Sequence, residues 1–366
     1  MKIVFLMALV IILSQWLFGE QISGDIYSLR KFTIDRHGNI YTDGEDEHSI
    51  NKYSPDGKFL LKIGRKGEGP SDIKRLGGFT INPIDSTIYV TEYFQGNKWI
   101  SKFSTDGKFL GILNCELDRS QAIGLSTINF DNKGNIYVEI SKIAERYSKD
   151  SVIGAPQLII TKFSPTGKRL KDIYKFSADA YISKDGSGSF NIPFRNELYW
   201  TISEGKIIVV ETHSGFISVL STEGKLEKRI PLPFPKEKLT GKDMDAWENK
   251  MKDAKWVKRG VETGTFSFKY WRGRIPLPDY KPVVASFNLI DSHGNLYCHQ
   301  YVDFGEEPSN RFLKVDLHTG KSTMVTFNQK GQLFYIDKNY FYFTDEDEDG
   351  DKIINRINEK DLFKKN

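Results

Sequence analysis

Residues 32–64 read FTIDRHGNIYTDG (Phe32–Gly44) and, after a short polar gap, INKYSPDGKFLLKIG (Ile50–Gly64). Four short runs rich in β-branched and aromatic residues alternate with clusters of Gly, Asp, Asn and Pro, which is the pattern of strands and turns. The turn signals have a mechanism. Glycine supplies positive φ at no steric cost, and Asp or Asn closes the bend through its own side chain. The unit therefore reads as a four-stranded antiparallel meander.

Working outward, the same unit recurs. Phe79–Val90 with Ile100–Leu113 is a second copy, and Ile128–Val138 with Ile160–Ile173 a third. Trp200–Val210 with Ile217–Ile230 is a fourth, and Phe287–Cys298 with Phe312–Val325 a fifth. Leu333–Phe343 and Lys352–Ile357 supply three strands of a sixth. Such recurrence predicts an all-β chain, a six-bladed β-propeller of four-stranded antiparallel blades with one helical insertion between blades four and five. The sixth copy lacks its last strand, while the strand-like segment Ile22–Leu29 precedes the first. That segment is expected to be the outermost strand of blade six, closing the ring by pairing the N-terminus with the C-terminus.

Upstream, Met1–Gly19 carries one early positive charge, Lys2, an apolar run from Ile3 to Leu13, and polar sequence from Glu20 on. The run falls short of the roughly 20 residues a membrane span needs, and its layout is that of a secretory leader. The expectation is a signal peptide over 1–20 and a single propeller domain over 21–366, exported to the periplasm or secreted, monomeric, with no membrane span after cleavage. The net charge of +4 is spread through the chain. Nucleic acid is excluded as a partner, because it calls for a concentrated basic stripe. Cys115 and Cys298 fall in well-separated blades and are expected to be free, buried thiols.

In a meander, successive turns alternate between the two faces of the ring. The first–second and third–fourth hairpins are tight in nearly every copy and share one face. The long segments share the other: Arg65–Gly78, Glu92–Trp99, Asn114–Ser126, Glu139–Pro156, Phe176–Leu198, Pro231–Ala285 and His299–Asn310. Loops of such length in a compact domain are commonly functional, so this face is the candidate working surface. The helical part of the insertion, 235–285, opens on Thr240 and Asp243, a capping-box pair. Met244, Trp247, Met251 and Ala254 follow at helical spacing, a packing stripe. The stretch beyond it carries Tyr270, Trp271, Arg272 and Arg274, suited to stacking and anion pairing or to anchoring the insertion. With Arg65, Lys66 and Trp99 these form the candidate ligand-binding set.

The connection IGRKGEGPSDI (Ile63–Ile73) resembles the G-x-G-P-G-E-F link of bacterial exported six-bladed propellers related to NHL-repeat proteins, with Ser71 and Asp72 in place of Gly–Glu. Leu277–Tyr301 is similar to that family's segment entering the next first strand. The resemblance implies the fold. It also implies two function classes, since such propellers include lactonases and lyases with a central Ca²⁺ or Zn²⁺ as well as non-catalytic modules that bind protein, peptide or glycan.

The residues weigh between these classes. TDEDEDGDKIINRI (Thr344–Ile357) begins like a calcium loop, with Asp345, Asp347 and Asp349 as candidate ligands, but its twelfth position is Arg356 where a bidentate Glu is needed. No cofactor is expected, with Ca²⁺ the one possibility, here or shared with the Asp43–His48 loop of the adjoining blade one. His37, His293 and His318 sit in hairpin turns, His299 follows Cys298 at a strand end, and His48 and His213 occupy second–third loops. The first strands end in Asp35, Asn82, Asp131, Ser203, Asp291 and Asp337, on the tight-turn face, as turn formers. No catalytic set emerges. The reading is a binding or scaffold module with a protein, peptide or glycan partner at the loop face, and the alternative is a metal-dependent lactonase or lyase acting at the central channel.

Overall fold

The computed structural model describes residues 20–22, 31–44, 46–69, 71–92, 99–117, 122–142, 157–177, 180–182, 189–191, 193–262, 268, 277–303, 310–346 and 352–363. Six four-stranded antiparallel sheets follow one another along the chain, each a meander. Blade one is Phe32–Ile34, Ile40–Asp43, Ile50–Tyr53 and Phe59–Ile63. Blade two runs from Leu76–Ile81 to Phe109–Asn114, and blade three from Ala122–Phe130 to Arg169–Ser177. Blade four runs from Leu198–Ser203 to Leu226–Pro231, and blade five from Val284–Ile290 to Ser322–Thr326. Blade six is Gln332–Asp337, Tyr340–Glu346 and Lys352–Asn358, with Glu20–Ile22 paired outside the last of these.

The core is divided among the blade interfaces. Tyr41, Ile50 and Ile63 of blade one pack on Ile88, Val90 and Phe103 of blade two. Separate apolar clusters likewise join blades two and three, three and four, four and five, and five and six. A sixth cluster joins Tyr342 and Ile354 of blade six to Ile40 and Tyr53 of blade one, with Ile22 inserted among them. The ring is closed.

Closure uses the N-terminus as the sequence predicts, with a shifted range. The pairing strand is Glu20–Ile22, in register Glu20 with Arg356 and Ile22 with Ile354, where the sequence points to Ile22–Leu29. Residues 23–30 and the predicted leader 1–19 lie outside the described residues. Glu20, assigned to the leader by the sequence, here pairs in the sheet.

The tight turns show why the inner-strand aspartates recur. Asp35 Oδ1 accepts the backbone N–H groups of His37 (2.8 Å) and Asn39 (2.9 Å). Its Oδ2 accepts the Asn39 side-chain amide (2.9 Å) and the buried Tyr41 hydroxyl (3.0 Å). Asp131 repeats this with Lys133, Asn135 and Tyr137, and Asp291 with His293, Asn295 and Tyr297. A lysine on the neighbouring third strand lies over each tyrosine ring, Lys52 at 5.5 Å, Lys162 at 5.7 Å and Lys314 at 5.6 Å. Two of them reach on into the next blade's outer turn: Lys52 Nζ donates to Thr105 O (2.8 Å) and Lys162 Nζ pairs with Glu223 (2.5 Å). These acids are turn formers, as the sequence indicates, and the lysines beside them tie blade to blade.

Two further departures concern insertions. Among the described residues, the segment between blades four and five forms two helices of eight or more residues, α1 (Gly241–Met251) and α2 (Lys255–Glu262), where one helix is predicted. Within Phe176–Leu198, read as an open loop, Ala180–Ile182 pairs with Ser189–Asn191 as a two-stranded sheet. The chain ends its described part in a short helix, α3 (Glu359–Leu362), capped by Asn358. Phe363 beyond it packs against the rings of Phe327 and Phe341. Among the described residues no helix is long and apolar enough to cross a membrane.

Candidate functional site

The loop face is built from the second–third loops and the blade-to-blade connections. The first of these connections, after blade one, is knitted to itself by Asp72. Asp72 Oδ1 accepts Arg65 Nε (2.8 Å) and Oδ2 accepts the Gly69 N–H (2.8 Å), while the Ile73 N–H returns to Arg65 O (2.8 Å). The carboxylate fills the space a side chain at Gly67 would need, so glycine is required there for close approach. Pairing with Arg65 holds the Asp72 carboxyl below the usual range. Fully buried Ile73 anchors the turn, its carbonyl 3.2 Å from His48 Nδ1.

Beside it, the blade-one loop is satisfied internally. Asp46 accepts Lys62 Nζ (2.6 Å), Ser49 Oγ (2.8 Å) and the His48 N–H (3.0 Å). Burial opposes its ionisation, but those hydrogen bonds prevail and hold the carboxyl down to about 2. Asp43 is buried and accepts the Lys31 N–H (3.2 Å). Among the described residues of this loop, the Asp43 and Asp46 carboxylates are thus engaged within blade one and its approach.

Between blades three and four, Glu139 accepts Trp200 Nε1 (2.9 Å) and Ser126 Oγ (2.7 Å), tying three strands near the loop face. In blade four the second–third loop is a short turn, and the His213 N–H donates to Asn196 Oδ1 (3.0 Å). In blade five, buried His299 stacks edge-on against Phe312 and faces the Gln300 carbonyl at 2.8 Å.

The helical insertion covers the loop face at blades four and five. Met244 and Trp247 of α1 and Val257 of α2 pack on Phe194, from the preceding connection, and on Tyr301, from the blade-five loop. The stripe is a packing face, as its spacing predicts. Lys281 secures it. Its ammonium meets Asp243 Oδ1 (2.8 Å), both Asp303 oxygens (2.8 Å each) and Glu237 Oε2 (3.5 Å) while the side chain is 9% exposed. Burial works against the charge, but the flanking carboxylates prevail and raise the lysine's proton affinity. Asp243 also accepts the Thr240 N–H (2.7 Å), completing the predicted cap. An open groove runs beside the α1 N-terminus, floored by Leu239, Met244, Leu277 and Pro278 with Tyr280 at its lip.

Of the predicted site residues, Arg65, Lys66, Trp99 and Asp345 lie among the described ones. Arg65 pairs with Asp72 while its side chain stays exposed, and Lys66 beside it is exposed as well. Trp99 opens the third strand of blade two, Trp99–Phe103, instead of ending a loop. Tyr270, Trp271, Arg272 and Arg274 lie outside the described residues. So do Asp347 and Asp349, whereas Asp345 sits within a strand, 3.4 Å from Lys330 Nζ. Among the described residues no group of three or more His, Cys, Asp or Glu side chains is arranged to hold a metal ion. The sequence reading missed Phe194, Lys281, Tyr301 and Asp303. The two cysteines are free and buried, as expected.

A closed ring of six four-stranded meanders, plain on one face and elaborated on the other, defines a six-bladed β-propeller. The chain belongs to the protein family described as "6-bladed beta-propeller", whose model matches residues 36–230. Comparison with curated proteins gives no match. Among solved structures, a putative exported protein from Bacteroides fragilis NCTC 9343 is similar at 11% identity and a TM-score of 0.49, covering 93% of this chain and 94% of that one. A protein of unknown function from Bacteroides thetaiotaomicron VPI-5482 is similar at 11% identity and a TM-score of 0.46, covering 92% and 74%. A streptogramin B lyase is similar at 10% identity and a TM-score of 0.42, covering 93% and 94%.

Proposed function

We propose that the chain is an exported binding or scaffold module, periplasmic or secreted, that presents its loop face to a protein, peptide or glycan. The observation that carries this reading is the asymmetry of the ring. The hairpins on one face close in a few residues and spend their polar groups on their own turns and on ties to the neighbouring blade. The opposite face carries, among the described residues, the two-stranded sheet, the helical insertion and the connection over 64–75. Fold alone does not assign function, so the proposal rests on this face, with Lys66, Arg272 and Arg274 as its candidate contacts. The polar groups described there are mostly paired with one another, an arrangement suited to holding a surface in shape.

Glycan and peptide arrays probed with the full-length chain test the idea. Binding should survive Lys108→Glu with Lys168→Glu on the turn face and fall at least about tenfold for Lys66→Glu with Arg272→Ala, a change on the order of 1.4 kcal/mol. Loss through the turn-face pair, or arrays that stay blank, would count against the loop face.

A further inference from the structure

The helical insertion has the construction of a separable unit. Its two ends are held together at the base by a narrow neck: Lys238 and Tyr280 form an isolated antiparallel bridge, Leu239 N–H donates to Asp279 O (3.0 Å), and Lys281 N–H donates to Glu237 O (2.9 Å). Beyond the neck it carries its own small apolar cluster, distinct from the six clusters between blades. The ring contributes Phe194 and Tyr301 to that cluster, their centroids 6.2 Å apart and nearly edge to face.

Phe194 is buried with φ at 57°, in the left-handed region. For a bulky side chain that conformation is strained and persists where the surroundings over-determine it. Here Met244, Trp247 and Val257 of the docked helices pack with it. Beside it the Tyr301 hydroxyl is buried with no hydrogen-bond partner among the described residues. The contact is thus held against two local penalties, with Lys281 clamping the neck to α1 through Asp243 and to blade five through Asp303.

We propose that the two helices form a cap that opens as one body about the Lys238–Tyr280 neck, with the Lys281 ion pairs as its latch. Opening lets Phe194 relax, hydrates the Tyr301 hydroxyl and uncovers an aromatic pair on the loop face. The cap goes beyond the assignment of a binding face and does not depend on it.

Amide hydrogen exchange on the full-length chain tests this. Amides of α1 and α2 should exchange together, through a partial opening, at least about 100-fold faster than those of Lys206–Glu211 and Phe216–Ser221 in blade four. Lys281→Met should speed the helices by a further 10- to 100-fold or so, because it strands Asp243 and Asp303, and should leave blade four unchanged. Asp303→Asn, a milder change at a half-exposed partner, should move the helices the same way by less. Exchange of the helices only together with blade four overturns the proposal. So does piecemeal exchange at unfolded-chain rates, or an equal acceleration of helices and blade by both variants.

Discussion

Replacing Ile22 with alanine should weaken the whole ring, although the residue stands near the N-terminal end of the described chain in a three-residue strand. Ile22 is 2% exposed and packs between blades six and one with Ile40, Tyr53, Tyr342 and Ile354. Among the described residues that interface holds five buried apolar side chains, against twelve between blades four and five, so it has the least to lose before it parts. Truncation to alanine removes three carbons at about 0.8 kcal/mol each, and an incompletely collapsed cavity adds to that. A loss of about 2–4 kcal/mol follows, toward the lower end because a peripheral strand can relax. Urea unfolding followed by tryptophan fluorescence measures it, with the denaturant slope expected to stay at its wild-type value. Leu226→Ala is the control, since Leu226 also lies on an outermost strand but is 44% exposed, and it should cost under about 0.5 kcal/mol. Equal small effects from both variants would refute ring closure through Ile22.

Three other outcomes follow from the same geometry. Asp131→Ala should cost about 3 kcal/mol in the same assay, because it leaves the Tyr137 hydroxyl and the Asn135 amide with fewer partners; Asp131→Asn, which keeps an acceptor, should cost less. Asp35, Asp46 and Asp131 all hold their protons less tightly than an ordinary aspartate. Their contribution to stability is therefore full above about pH 4, the unfolded value, and is lost as pH falls below it, toward about 2 for Asp46, so thermal melts should decline on acidification and Asp46→Asn should flatten part of the decline. Burial pushes the Cys115 and Cys298 thiols up to about 12, so a thiol reagent at pH 8 should react slowly with the native chain and quickly with two thiols once it is unfolded.

The fold was largely legible because its signals are local and repeated. Asp35, Asp131 and Asp291 each announce a turn with the Asn and Tyr that complete it four and six residues on. Ring closure was legible by subtraction, from a sixth copy short of one strand, although three residues could not fix which end of the N-terminal segment would pair. The second helix was missed because the apolar stripe that marks α1 stops at Ala254, and the chain turns there before α2 begins. The elaborated face was legible only as loop length. Lys281 finds Asp243 and Asp303 at separations of 38 and 22 residues, and no periodicity links such positions. The Arg65–Asp72 pair was not legible because the two lie across a turn whose shape depends on Gly67 and Gly69.

The metal content of the purified full-length chain, dialysed without chelator and measured by mass spectrometry, bears most directly on the claim that this propeller binds and does not catalyse. The account expects calcium and zinc well below one atom per chain. One tightly held atom of either per chain would contradict it and move the assignment to a metal-dependent lactonase or lyase at the central channel.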